Sequence, residues 1–221
     1  MDNDKECYTE QRKKKAGAVL KSYFHLHHRP STASSPPEPL VGPYYNLIVV
    51  PFYLGGANPL HFQGQHIYQD LIDNAYKWMI HMYSVQVAGN LAQCCYKALV
   101  DSGSKYIYGP RALIYAINRQ ILNREVPLGG VTLLEADEFE NFNQLPGVLF
   151  TFGDGGHVFD MQPEDYICPD EDTPGRFSTV FRPMVFPDGE PHFVLGFPWL
   201  RRYHTIFDFG QRRIGFALAL A

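Results

Sequence analysis

The chain has 221 residues, a formal net charge of -4 and four cysteines; 45% of it is hydrophobic and 14% aromatic, with 19 Gly and 17 Pro. This bounds it to one domain plus tails, with enough apolar material for a sizeable core and a bias toward strands and turns over helices. The charge gives no nucleic-acid signal, no apolar run approaches the ~20 residues of a membrane span, and four cysteines are too few for a disulfide scaffold.

Residues 1–43 read as a leader. Its start is charged and lacks a signal-peptide core, so the expectation from this N-terminus is no export. Arg12-Lys13-Lys14-Lys15 is a solvated basic run, and Ala16 to Phe24 suits a short helix. His25, His27 and His28 lack acidic or Cys partners, so no metal site is read there. Pro30 to Pro39 is a Pro/Ser-rich linker.

Residues 44–221 have globular texture. Asn46 to Leu54, with Pro51, suits an edge strand, followed by a Gly55-Gly56 turn. His66 to Ile72, Trp78 to Val87 and Lys97 to Val100 read as strands, and Pro110 to Asn123 is the clearest helix. Leu145 to Phe152 and His157 to Met161 form a hairpin across Gly153 to Gly156. Pro163 to Ile167 is a helical turn or strand, and Pro169 to Arg176 an acidic loop. Phe193 to Gly196 is a strand, Trp199 to Tyr203 a short helix, and Thr205–Asp208 with Arg213–Ala217 a closing hairpin. Many short strands with one or two helices predict an all-β lobe.

The stretch that carries chemistry is Ala98-Leu99-Val100-Asp101-Ser102-Gly103-Ser104. An apolar run enters as a buried strand, Gly103 permits a sharp turn, and the two hydroxyls can orient the Asp101 carboxylate. The pattern occurs once. His81 and His204 read as packing residues, and Asp154 and Asp188, each before Gly, as turn residues.

An ordered set of stretches resembles the C-terminal lobe of the pepsin-like aspartic endopeptidases. They are Tyr53-Leu-Gly-Gly56, Trp78 to Met82, the Asp101 stretch continuing through Gly109-Pro110 into a helix, Phe150-Thr-Phe152, Phe193-Val-Leu-Gly196, and Leu200 to Asp208 with Arg213 to Ala217. The resemblance implies a single lobe of a bilobal all-β fold, no cofactor or metal, and a peptide or protein substrate. It implies Asp101 as the second of two catalytic aspartates, Ser102 as a contact toward the opposite lobe and Ser104 as a donor to the carboxylate. It places Gly103, Leu99 and Val194 against substrate and has Gly196 close a loop against Asp101. The family's other lobe would precede residue 47, and residues 1–46 are too few to hold it, so catalysis would need a second lobe or a homodimer. The alternative is a lobe without activity that binds a peptide or partner. Family members work in lysosomal or secreted settings, which the N-terminus does not support.

Five positions depart from the family pattern. Cys94 and Cys95 are shifted from the usual pair, leaving their disulfide status open, and Cys168 lacks the partner of a family bridge. Phe197 stands where Asp is usual. Lys105 replaces a small hydroxyl residue.

Overall fold

Two β-sheets share one aromatic core, and the alternation of side chains along their strands decides which face is core and which is free. The computed structural model describes residues 18–19, 53–54, 56–72, 77–153, 156–186 and 192–220, with the backbone alone for 18–19, 53–54 and 91–95. The strands are β1 (Ala18–Val19), β2 (Tyr53–Leu54), β3 (Phe62–Asp70), β4 (Met79–Val87), β5 (Asn90–Val100), β6 (Ile107–Pro110), β7 (Val148–Phe152), β8 (His157–Met161), β9 (Ile167–Pro169), β10 (Phe177–Thr179), β11 (Phe181–Met184), β12 (His192–Leu195), β13 (Tyr203–Asp208) and β14 (Arg213–Ala219). One sheet runs β11-β6-β12-β5-β4-β7-β8, a second runs β2-β1-β13-β14-β3, and β9 pairs with β10.

In β7 the period of two is plain: Val148, Phe150 and Phe152 are buried, while Leu149 and Thr151 are half-exposed. In β4 the buried residues are Ile80 and Met82, then Val85 and Val87. A bulge between Met82 and Ser84 moves the inward face from even to odd numbers. The inward side chains meet at Trp199, which is wholly buried. Its ring lies 5.4 Å from Phe150 and from Phe152, 4.7 Å from Tyr203 and 5.5 Å from Phe216.

The helix Arg111–Leu122 follows Pro110 and ends at Asn123, which takes a left-handed conformation (φ 49°). Its buried face is Ile114, Ile117, Asn118, Ile121 and Leu122. Asn118 is satisfied by donating to the Phe181 carbonyl at 3.2 Å and accepting from Thr179 Oγ1 at 2.8 Å, which ties the helix to β11. The helix Phe197–Arg202 is clamped at its far end. Arg202 reaches Asp160 at 2.6 Å and Asp165 at 2.8 Å, and the Tyr203 hydroxyl donates to the Asp160 carbonyl at 2.7 Å. Burial acts upward on Asp160, but hydrogen bonds from Arg202, Gln162 and Tyr203 outweigh it and hold the carboxyl below its ordinary value.

Several expectations change. Ala18–Val19 is not helical: it pairs with both β2 and β13, so part of the leader contributes a strand to the lobe's sheet. Pairing with the open edge of β13 overrides local propensity there. The expected strand over 46–54 lies outside the described residues apart from its last two, as do Asp154, Asp188 and the remainder of the leader. Pro163–Tyr166 takes the helical of its two expected forms, with the strand beginning at Ile167, and a further short helix not anticipated occupies Ala136–Glu140. Both begin with capping boxes, closed by Glu138 and Asp165.

On the smaller sheet, His66 Nε2 lies 2.8 Å from His204 Nδ1, with the Phe62 ring 4.4 Å from one imidazole and 4.8 Å from the other. Burial pushes His66 from the ordinary 6.5 down to about 4, against the opposing effect of the His204 hydrogen bond. Between these values the unfolded chain binds the proton first. The contribution of His66 to stability is therefore complete above pH 6.5 and is lost as the pH falls toward 4. Replacing His66→Leu should flatten the acid limb of the melting temperature over that window, measured by thermal unfolding from pH 7 to 4.

Candidate active site

Asp101 is the first residue beyond β5, and its backbone continues the sheet by one rung. Its N–H donates to the Leu195 carbonyl at 3.1 Å, extending the parallel β5–β12 pairing. The chain then turns back on itself. Ser104 N–H donates to the Asp101 carbonyl at 3.2 Å. The half-buried carboxylate accepts at both oxygens: Gly103 N–H reaches Oδ1 at 2.9 Å and Ser104 Oγ reaches Oδ2 at 2.7 Å. Two donors on opposite oxygens fix the plane of the group. Ser102 is half-buried, and no side-chain hydrogen bond ties it to the described residues.

A second loop locks the first. Phe197 N–H, opening the helix Phe197–Arg202, donates to the Ser104 carbonyl at 2.7 Å. A Cβ at Gly196 would sit 2.3 Å from both the Ser104 and Tyr106 carbonyl oxygens. Only glycine allows the two chains to cross this closely.

Leu99 and Val194 are register partners on β5 and β12. Their strand neighbours Ala98, Val100, Phe193 and Leu195 belong to the core, so Leu99 and Val194 lie on the opposite face, the one on which Asp101 emerges. Leu99 is half-exposed there and Val194 is buried. The structure thus brings Asp101, Gly103, Ser104 and Gly196 into one hydrogen-bonded crossing and sets Leu99 and Val194 beside it.

The contacts of several neighbours could not be read from the sequence. Lys105 pairs with Glu171, and its ammonium lies 5.4 Å from the Tyr106 ring centre. Burial pushes Lys105 down from its ordinary value, and Arg182 acts in the same direction. Arg182 stacks over Tyr106 at 4.5 Å. Its strand, β11, carries Pro183, which argues against a strand from sequence; Pro is tolerated because β11 is the sheet's edge. Cys168 is a free thiol 3.8 Å from Ser178 Oγ, and burial pushes its pKa up. Among the described residues no three His, Cys, Asp or Glu side chains are grouped to hold a metal, and no helix is long and apolar enough to cross a membrane.

The family model described as eukaryotic aspartyl protease matches residues 49–219. The chain belongs to that family. Cathepsin D of Bos taurus is 30% identical over 174 residues, covering 75% of this chain and 42% of the relative. Pregnancy-associated glycoprotein 1 of Bos taurus is 32% identical over 169 residues, with coverages of 75% and 42%. Renin-2 of Mus musculus is 29% identical over 191 residues, with coverages of 82% and 46%. The chain therefore spans less than half the length of these relatives. The β-rich architecture, with its few short helices, is that of a pepsin-like aspartic protease lobe.

The crossing at Gly196 makes a direct test of this geometry. Gly196→Ala should lower unfolding stability by about 2–3 kcal/mol in urea titrations, because backbone oxygens, not flexible side-chain ends, meet the new methyl group. Ser104→Ala, which removes one of the two donors to the Asp101 carboxylate, should cost about 1.5 kcal/mol, the low end for a hydrogen bond to a charged group at this half-buried position.

Proposed function

We propose that this chain supplies one catalytic half-site of an aspartic endopeptidase, with Asp101 as its carboxylate, and that a second aspartate completes the site. Residues 44–221 form the lobe, to which Ala18–Val19 adds a strand. The observation that carries this reading is the Asp101 carboxylate, held at both oxygens by Gly103 and Ser104 at the end of the central strand β5. Such fixing is costly to build and serves a group that must meet a reacting atom at a set angle.

Peptide hydrolysis follows from two carboxylates sharing one proton. The ionised member takes a proton from a water held between them, and the resulting hydroxide attacks the scissile carbonyl carbon. The protonated member donates to the carbonyl oxygen. Collapse of the tetrahedral intermediate breaks the C–N bond, and the amine leaves with a proton. One carboxylate cannot hold both roles, so the partner aspartate comes from a second lobe or a second copy of the chain. Ser102 faces that partner, Gly103 offers its backbone to the peptide, and Leu99 and Val194 form the apolar wall beside the scissile bond. Gly196 keeps the crossing closed behind Asp101.

The chain should be assayed at acid pH alone and mixed with a lobe bearing the complementary aspartate, with its mass followed by sedimentation. Pepstatin-sensitive cleavage is expected only in an assembled species. Asp101→Asn should lower it by at least about 10²-fold, the scale of general acid–base catalysis. Cleavage that survives Asp101→Asn overturns the assignment. Peptide binding without cleavage in every assembly favours the alternative, a lobe that binds peptide and does not hydrolyse it.

A further inference from the structure

The row of side chains that begins beside Asp101 continues across the sheet and ends in a basic pocket. Met79, Leu99, Val194, Tyr108 and Arg182 are successive register partners on β4, β5, β12, β6 and β11. Their strand neighbours Ile80, Ala98, Phe193, Ile107 and Phe181 are all wholly buried in the core, so the row occupies the opposite face.

At the β11 end lies an open depression of about 400 Å³, lined by Tyr106, Tyr108, Arg111, Gly130, Arg182 and Met184 among others. Arg182 is only 6% exposed. Its guanidinium donates to Ser178 Oγ at 2.8 Å and to the Thr179 carbonyl, and it rests on the Tyr106 ring. These contacts orient the charge but do not neutralise it. Among the described residues no carboxylate lies within ion-pair distance of Arg182 or Arg111. Of the nearby acids, Glu171 pairs with Lys105; Asp170, which accepts from Thr173 N–H at 2.9 Å, and Asp172 form no ion pair with Arg182. Arg111, at the start of its helix, is exposed and lines the rim of the depression.

A buried guanidinium without a counter-charge is expensive, and a planar fork so placed is matched by a carboxylate. Leu99 and Arg182 are three strand spacings apart, roughly 14 Å, a span that an extended peptide covers in roughly four residues. We propose that this depression is a specificity pocket for an acidic side chain, Asp or Glu, of a peptide lying along the Asp101 face. The proposal rests on the reading of that face as a peptide cleft. The incoming carboxylate pairs with the Arg182 fork, and Arg111 closes on it from the rim.

The test is a set of fluorescent octapeptides on one neutral parent sequence, with a single Glu moved through every position and a matching Gln set. Binding to the full chain is read by fluorescence anisotropy at pH 6 and low salt. At one position Glu should bind at least about tenfold more tightly than Gln, and the difference should shrink as salt is raised. Arg182→Gln should abolish the preference, Arg182→Lys should retain part of it, and Arg111→Gln, at an exposed position that leaves folding intact, should reduce it several-fold. Peptides that bind with no Glu preference at any position overturn the pocket while leaving the cleft standing. A preference that survives both Arg182→Gln and Arg111→Gln also overturns it. Failure of every peptide to bind, neutral ones included, overturns the cleft reading and the pocket with it.

Discussion

The site depends on one crossing of two chain segments. The end of β5 and the end of β12 run side by side, and beyond them the loops pass over each other with no side chain between. Asp101 N–H to Leu195 carbonyl and Phe197 N–H to Ser104 carbonyl are the two stitches. Each joins segments almost a hundred residues apart, so the carboxylate geometry is set by the global fold. Local contacts from Gly103 and Ser104 then orient the group on that rigid base. A group placed in this way needs no loop movement to reach its working position.

The core holds the crossing by being stiff where it meets it. Phe197–Arg202 begins at the crossing and immediately buries Trp199 among Phe150, Phe152, Phe159, Tyr203 and Phe216. Its far end is held by Arg202 between Asp160 and Asp165. Burial pushes Asp165 above its ordinary value, whereas hydrogen bonds hold Asp160 below. The two therefore answer acid in opposite senses. Asp160 contributes stability that is lost as pH falls through its lowered folded value. Asp165 is easier to protonate in the folded state, so its effect partly offsets that loss. The half-buried His66 adds to the loss on acidification, because its folded value lies below the ordinary one.

What the sequence made legible follows the reach of each interaction. The Asp101 turn is built from contacts two and three residues apart, so its residue types announce it. The helix after Pro110 and the hairpin β13–β14 carry their periodicity locally in the same way. The β4 bulge is not legible, because it answers the registers of β5 and β7 at once. Ala18–Val19 misled because its partner, β13, lies far along the chain, and no local pattern names that edge. Arg182 was invisible for a similar reason: it follows Phe181 in a Pro-containing stretch, and only the sheet order sets it beside Tyr108.

Sheet order also explains how one face is given to the core while the opposite face holds Asp101 and its neighbours. Alternation sends Ala98, Val100, Phe193 and Leu195 into the core and leaves Leu99 and Val194 for the outer face. The same rule at β6 and β11 buries Ile107 and Phe181 and turns Tyr108 and Arg182 outward. The outer row differs in character from the core: it holds the apolar Leu99 and Val194 and the cationic Arg182, whose guanidinium is held by Ser178 and the Thr179 carbonyl. Within this single row the character changes from apolar beside Asp101 to cationic at the edge strand. In the proposed cleft, a peptide laid across it would meet a gradient that distinguishes one end from the other.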